Sequence, residues 1–240
     1  MEIVIAIFVF IYGLVLGSFY NVVGLRVPKS ESIVRPPSHC TTCDRNLTAK
    51  DLVPVLSYVF LKVKCRGCDT KIHWVYPVIE LTTGVLFTFA YFQLGFSWEF
   101  FVSLLFISLL IIITVSDIAY MLIPDKILLF FLIPLIIGRI ISPLTPWWDS
   151  IVGAIVGFGI LLLVAMVSKG GMGGGDIKLF FVIGVVLGTV STLVTLFLAS
   201  VIGTVVGIIT LKISKQGRKT PIPFGPSIAI AAIISFFYGQ

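Results

Sequence analysis

Apolar stretches separated by short polar joints make up most of the chain, and one long polar segment interrupts them early. A run of about 18 or more apolar residues can cross a bilayer as a helix, and a helix satisfies its own backbone hydrogen bonds in lipid. The pattern predicts about eight spans, near residues 3–25, 77–95, 99–116, 125–142, 150–168, 178–189, 191–211 and 226–239, of which the sixth and eighth are short for a full crossing. The first run carries Glu2, no basic flank and no small-residue cleavage site, so it reads as a retained helix and not a signal peptide. The expected fold class is therefore an all-α polytopic membrane protein. Its first membrane helix lies at 1–25, a small polar domain at 26–76 and a helical membrane domain at 77–240. No repeat of fixed period and no low-complexity tract is visible.

Composition adds direction to this picture. Hydrophobic residues make up 58% of the chain and charged residues 12%, against about 25% charged in a soluble domain. With the 26–76 segment in the cytoplasm and the spans alternating, sixteen of the seventeen Lys and Arg residues fall inside, and only Arg139 falls near the outer face. That is the asymmetry expected of an inserted protein. It also accounts for the net charge of +6 through topology and anionic headgroups. The basic residues are spread over separate loops, which argues against nucleic-acid binding.

All four cysteines lie in the polar segment, as "CTTC" at 40–43 and "CRGC" at 65–68. Two CxxC pairs at this separation have the spacing of a structural zinc site, with Cys40, Cys43, Cys65 and Cys68 closing a tetrahedral shell. A closed four-thiolate shell leaves no position for water, so such a metal staples a segment and does not catalyse. Disulfides are disfavoured by a cytoplasmic location. His39 and His73 flank the pairs and read as neighbours.

Three acidic residues stand at cytoplasmic ends of spans: Asp117, Asp125 and Asp176. Asp125 follows Pro124 and opens the fourth span, where a carboxylate can cap a helix. Asp117 closes the third span, where a negative charge opposes the helix dipole, so its placement asks for a functional reason. Asp176 follows "GGMGGG" at 170–175, glycines that make a poor lipid-facing helix and must be buried in protein or line water. Two carboxyls meeting across a wet cleft would share one proton. The ionised one can activate water and the protonated one can polarise a peptide carbonyl, which is aspartic-peptidase chemistry.

At this point the motifs are recognisable together. "GSFYNVVGLRVP" (17–28), the two CxxC pairs, "PVIELTTG" (77–84), "DIAYMLIPD" (117–125), "GMGGGDIKL" (171–179) and "TPIPFGPSIAIA" (220–231) occur in order. In them the chain resembles the type IV prepilin peptidases, intramembrane aspartic peptidases of the GxGD type. The resemblance implies Asp117 and Asp176 as the catalytic pair, with Gly173, Gly174, Gly175, Asp125, Glu80 and Lys178 in supporting or substrate-binding roles. It implies removal of a short basic leader from prepilins or pseudopilins at the cytoplasmic face of the bacterial cell membrane. In many members it also implies N-methylation from S-adenosylmethionine, for which the region of Asn21 and Arg26 is the expected site. The short 26–76 domain looks like the compact form of Gram-positive competence and pilus systems.

Two other classes compete. An ion-coupled transporter also places carboxylates and broken helices in the membrane. Here, though, the carboxylates gather at one face and no inverted repeat is visible. An inactive zinc-stapled scaffold would leave Asp117 and the glycine loop unexplained.

Overall fold

The computed structural model describes residues 1–168, 173–214 and 223–239. Among them the regular structure is helical: α1 (Glu2–Arg26), α2 (Leu56–Phe60), α3 (Val75–Leu94), α4 (Trp98–Tyr120), α5 (Asp125–Ile141), α6 (Asp149–Val167), α7 (Gly174–Ser214) and α8 (Gly225–Tyr238). Five helices, α1, α3, α4, α6 and α7, are long and apolar enough to cross a membrane, and α8 is a shorter apolar helix. The chain divides into two compact units, Met1–Val115 and Ser116–Gln240.

In the first unit α1 buries a stripe of small and polar residues, Ala6, Gly13, Gly17, Tyr20, Asn21 and Gly24. Its other face, with Ile3, Ile7, Phe8, Ile11 and Val15, is exposed and apolar, as suits lipid. Small residues let membrane helices approach closely: a methyl group at Gly13 would stand 2.7 Å from the Gly84 Cα of α3. The Tyr20 hydroxyl meets Ser108 Oγ of α4 at 2.6 Å.

The second unit is built around α7. The sequence predicts two spans, 178–189 and 191–211; the structure joins them in one element that breaks at Gly188 (φ 76°, ψ −175°). A methyl group on Gly157 of α6 would touch both the Phe180 carbonyl (2.7 Å) and Thr192 Cγ2 (3.0 Å). In a straight helix those two residues would be about 18 Å apart, so the limbs 174–187 and 189–214 fold back beside each other. Gly188 adopts a φ that a side chain would strain, and a Cβ there would collide with the Asp149 carboxylate. That carboxylate takes the Thr189 amide (3.1 Å) and hydroxyl (2.6 Å), capping the second limb from outside. Buried Arg139 donates through Nε to the Val186 carbonyl at 2.9 Å, tying α5 to the same bend.

Gly184 and Gly153 bring the backbones of α7 and α6 together, leaving no room for a methyl group on either residue. Gly184→Val is therefore expected to destabilise the protein by about 1–3 kcal/mol or more, read as a lowered midpoint in thermal unfolding of the detergent-solubilised protein.

Candidate active site

Asp117 sits in the last turn of α4 and is 7% exposed. The turn behind it is closed locally. Met121, in the left-handed region (φ 53°), donates its amide to the Asp117 carbonyl at 2.9 Å, and Ser116 Oγ donates to the Leu122 carbonyl at 2.5 Å. Pro124, which cannot extend a preceding helix, then delivers Asp125 as the first residue of α5. The Asp117 carboxyl is held from α8, where the Gly225 amide donates to Oδ2 at 2.6 Å.

Asp176 is half-buried, and the helix that carries it begins four residues earlier than the sequence predicts, at Gly174 and not at 178. Gly174 and Gly175 are thus helical rather than loop. Gly174 faces open space, while Gly175 is pressed against the α4–α5 turn, where a methyl group would lie 2.7 Å from Ile123 Cβ. This contact, not conformational freedom, fixes the residue type at 175. The Asp176 amide donates to the Gly173 carbonyl at 3.2 Å, and the Gly175–Ile123 contact brings the start of α7 against the turn that follows Asp117. Gly170, Gly171 and Met172 of the same motif lie outside the described residues, as do Lys169, Lys215, Arg218, Lys219 and the start of the 220–231 motif.

The cap expected of Asp125 is not made: its side chain gives no capping hydrogen bond. Instead Lys178 Nζ, one turn into α7, meets Asp125 Oδ2 at 2.7 Å. Both side chains are more than half exposed, so the pair contributes about 0–1 kcal/mol and acts mainly as a steering contact. Behind it an apolar groove of about 360 Å³ runs between α5, α6 and α7, lined by Leu128, Leu132, Phe158 and Phe181.

The first unit holds the remaining expected residues. The sulfurs of Cys40, Cys43, Cys65 and Cys68 all lie within 4.8 Å of one another, and Cys40 and Cys68 are 3.7 Å apart. A tetrahedral metal with sulfur ligands at about 2.3 Å sets its ligands about 3.8 Å apart, so this donor set fits a metal ion. The two halves are built alike. Cys40 and Cys65 take the carbonyls of Arg45 and Thr70 with their amides, and their own carbonyls accept from Asp44 and Asp69. Asp44 (φ 53°) and Asp69 (φ 55°) both turn left-handed, a conformation Asp tolerates better than most residues. The repeated CxxCD string in the sequence is the signal for this duplication. Buried Asp51 ties the halves together by accepting from Thr48 and pairing with Arg45 (3.2 Å) and Arg66 (3.3 Å). The Thr48 amide, with its hydroxyl and the two guanidiniums, holds this carboxyl below the usual carboxylate range. His39 and His73 stay outside the sulfur cluster, His39 facing the Pro37 carbonyl and His73 accepting the Val75 amide.

Glu80 is buried in α3 and accepts the Val55 amide at 2.7 Å, anchoring the polar segment to its own unit. Asn21 is 3% exposed and donates to the carbonyls of Gly17 (3.3 Å) and Tyr76 (3.2 Å), while its Oδ1 is buried without a partner. Arg26 closes a surface loop through the Ser32 and Pro36 carbonyls. Sequence reasoning gave no role to Asp51, Ser116 or Gly225. For Gly225 the available signal was the Gly-Pro pair opening the last apolar run, a helix-start signature.

Comparison with known proteins places this arrangement. Residues 11–94 match the bacterial peptidase A24 N-terminal domain, and residues 104–208 match the type IV leader peptidase family. A prepilin leader peptidase/N-methyltransferase of Bacillus subtilis (strain 168) is 45% identical over 231 residues, 96% of this chain and 93% of its own length. One of the same name from Aeromonas salmonicida (strain A449) is 31% identical over 262 residues, 97% of this chain and 90% of its own. No solved structure matches the chain. With two family matches along the chain and a relative this similar along nearly its whole length, the chain belongs to the type IV leader peptidase family.

Proposed function

We propose that the protein is an intramembrane aspartic endopeptidase that removes the leader from prepilins or pseudopilins, with Asp117 and Asp176 as its reacting carboxyls. The observation that carries this reading is their convergence: one comes from the end of an apolar helix and the other from the start of another, and Gly175, next to Asp176, packs on Ile123 in the turn that follows Asp117. Two carboxyls so placed hold one proton between them. The ionised one removes a proton from water as the oxygen attacks the scissile carbonyl, and the protonated one gives its proton to the carbonyl oxygen. When the tetrahedral species collapses, the C–N bond breaks and the leaving nitrogen takes up a proton from the pair. No covalent enzyme intermediate is needed.

The distribution of basic residues supports a cytoplasmic location for the 26–76 segment and the Asp117–Asp176 face, in the bacterial cell membrane. A leader that stays in the cytoplasm would then present its cleavage bond at the depth of the pair. The apolar groove behind Asp125 and Lys178 is suited to the aliphatic part of such a substrate. In the polar segment the four-thiolate chemistry favours zinc, held as a structural ion. The second half of the relatives' name calls for a methyl donor, S-adenosylmethionine. Of the two residues expected near it, Arg26 is engaged by loop carbonyls and Asn21 keeps one buried acceptor to offer.

Co-expression with a prepilin, followed by mass spectrometry of the product's N-terminus, tests the proposal. The expected product lacks the leader and carries one added methyl group. An uncut precursor would refute the peptidase, and a cut but unmethylated product would remove the methyltransferase half alone.

A further inference from the structure

We propose that Gly225 is a positioning residue for Asp117, its amide fixing the carboxyl in the orientation that the cleavage reaction uses. The inference rests on the assignment of these two aspartates as the reacting pair.

The first amides of a helix have no partner inside it and stand at the positive end of its dipole. The helix α8 begins at Gly225 and aims that end at Asp117. Gly225 N donates to Oδ2 at 2.6 Å. Approach this close requires a residue without a side chain, because a Cβ at 225 would lie 2.8 Å from Oδ2 and 2.9 Å from the Cβ of Asp117.

The helix start is held there by a second contact. The Phe224 ring rests on Gly203 in the second limb of α7, where a methyl group would lie 2.6 Å and 2.9 Å from two ring carbons. Just beyond, Ser227 and Ile228 are buried. Gly203, Phe224 and Gly225 thus form a short relay from the second limb of α7 to the Asp117 carboxyl.

The Asp117 carboxyl is held by the Gly225 amide at the start of α8. The titratable group facing Asp117 is Asp176 on α7. The first turn of α8 carries no acidic or basic residue, and Lys178 is turned to Asp125. Hydrogen bonds to the charged form favour it, so displacing the Gly225 amide should move the titration of the pair.

The test uses the full-length enzyme in lipid vesicles with a prepilin substrate. Gly225→Ala is expected to lower kcat on the order of 100-fold with KM changed by no more than about twofold. The acid limb of its kcat/KM profile should move to higher pH by about one unit. Gly203→Ala should act in the same direction, and adding Phe224→Leu, which shrinks the displaced ring, should recover most of the lost kcat. A Gly225→Ala enzyme with unchanged kcat overturns the inference. So does a slowed enzyme whose acid limb stays put, or a Gly203→Ala defect that the second substitution fails to relieve. Asp117→Asn and Asp176→Asn in the same assay separate the two levels. If they still cleave, the catalytic pair itself is wrong; if they are inactive while Gly225→Ala is unimpaired, only the positioning role falls.

Discussion

Asp117→Asn and Asp176→Asn, each introduced alone, are expected to stop prepilin cleavage while the protein accumulates in the membrane at its normal level. An amide neither accepts the proton of an attacking water nor gives one to a carbonyl, so the loss should be about 10²–10⁴-fold or more. The fold should survive because Asn nearly matches Asp in shape. At position 117 the Gly225 amide can donate to the new carbonyl oxygen, and α4 loses a charge that opposes its dipole. At 176 the residue remains in the first turn of α7, where Asn is well tolerated. The fraction of substrate shifted on a gel reads the chemistry, and quantitation of the enzyme in washed membranes reads the fold. Cleavage at the parental rate in either variant would remove the aspartic mechanism.

The second large effect is expected at the cysteines. Substituting Ser for Cys40 or Cys65, or stripping metal with a chelator, should unfold the 26–76 segment. Its regular structure amounts to two single 3₁₀ turns, the five-residue α2 and two isolated bridges. Within 27–74, Cys65 is the only buried apolar side chain among the described residues. So little burial cannot offset the entropy of ordering such a length of chain. A four-thiolate metal site contributes about 10–16 kcal/mol to folding in small domains, enough to make the difference. Metal analysis should give one equivalent in the parent protein and almost none in the variants. Limited proteolysis should then cut between residues 26 and 76 and spare the helices. A variant that loses metal yet keeps this segment protected would show that the ion is dispensable.

Much of this was legible before any coordinates, for identifiable reasons. Apolar run length marked the helices because lipid punishes unsatisfied backbone. CxxC spacing marked the four-cysteine cluster because the geometry of such a pair is local. Asp117 stood out because it lies at the helix end where its charge is unwelcome. What the sequence concealed depends on partners distant along the chain. Asp125 looked like a helix cap until Lys178 arrived 53 residues later to take its carboxylate. Gly175 looked like part of a free loop, whereas Ile123 fills the space beside it and the helix already runs through it. Gly225, 108 residues from Asp117, reads locally as a helix start, and only the folded chain brings its amide onto a carboxylate.

The fold-back at Gly188 leaves the first limb of α7, residues 174–187, about 21 Å long. The hydrocarbon layer is about 30 Å thick. Residues 177–187 are buried except for Lys178 and Phe181, so neighbouring helices and not lipid tails surround this limb, and its shortness need not thin the bilayer. A helix this short, sheathed in protein, lets the end that carries Asp176 stop below the level of the headgroups, at a depth where a group that must work by hydrolysis is reached by water from one side only.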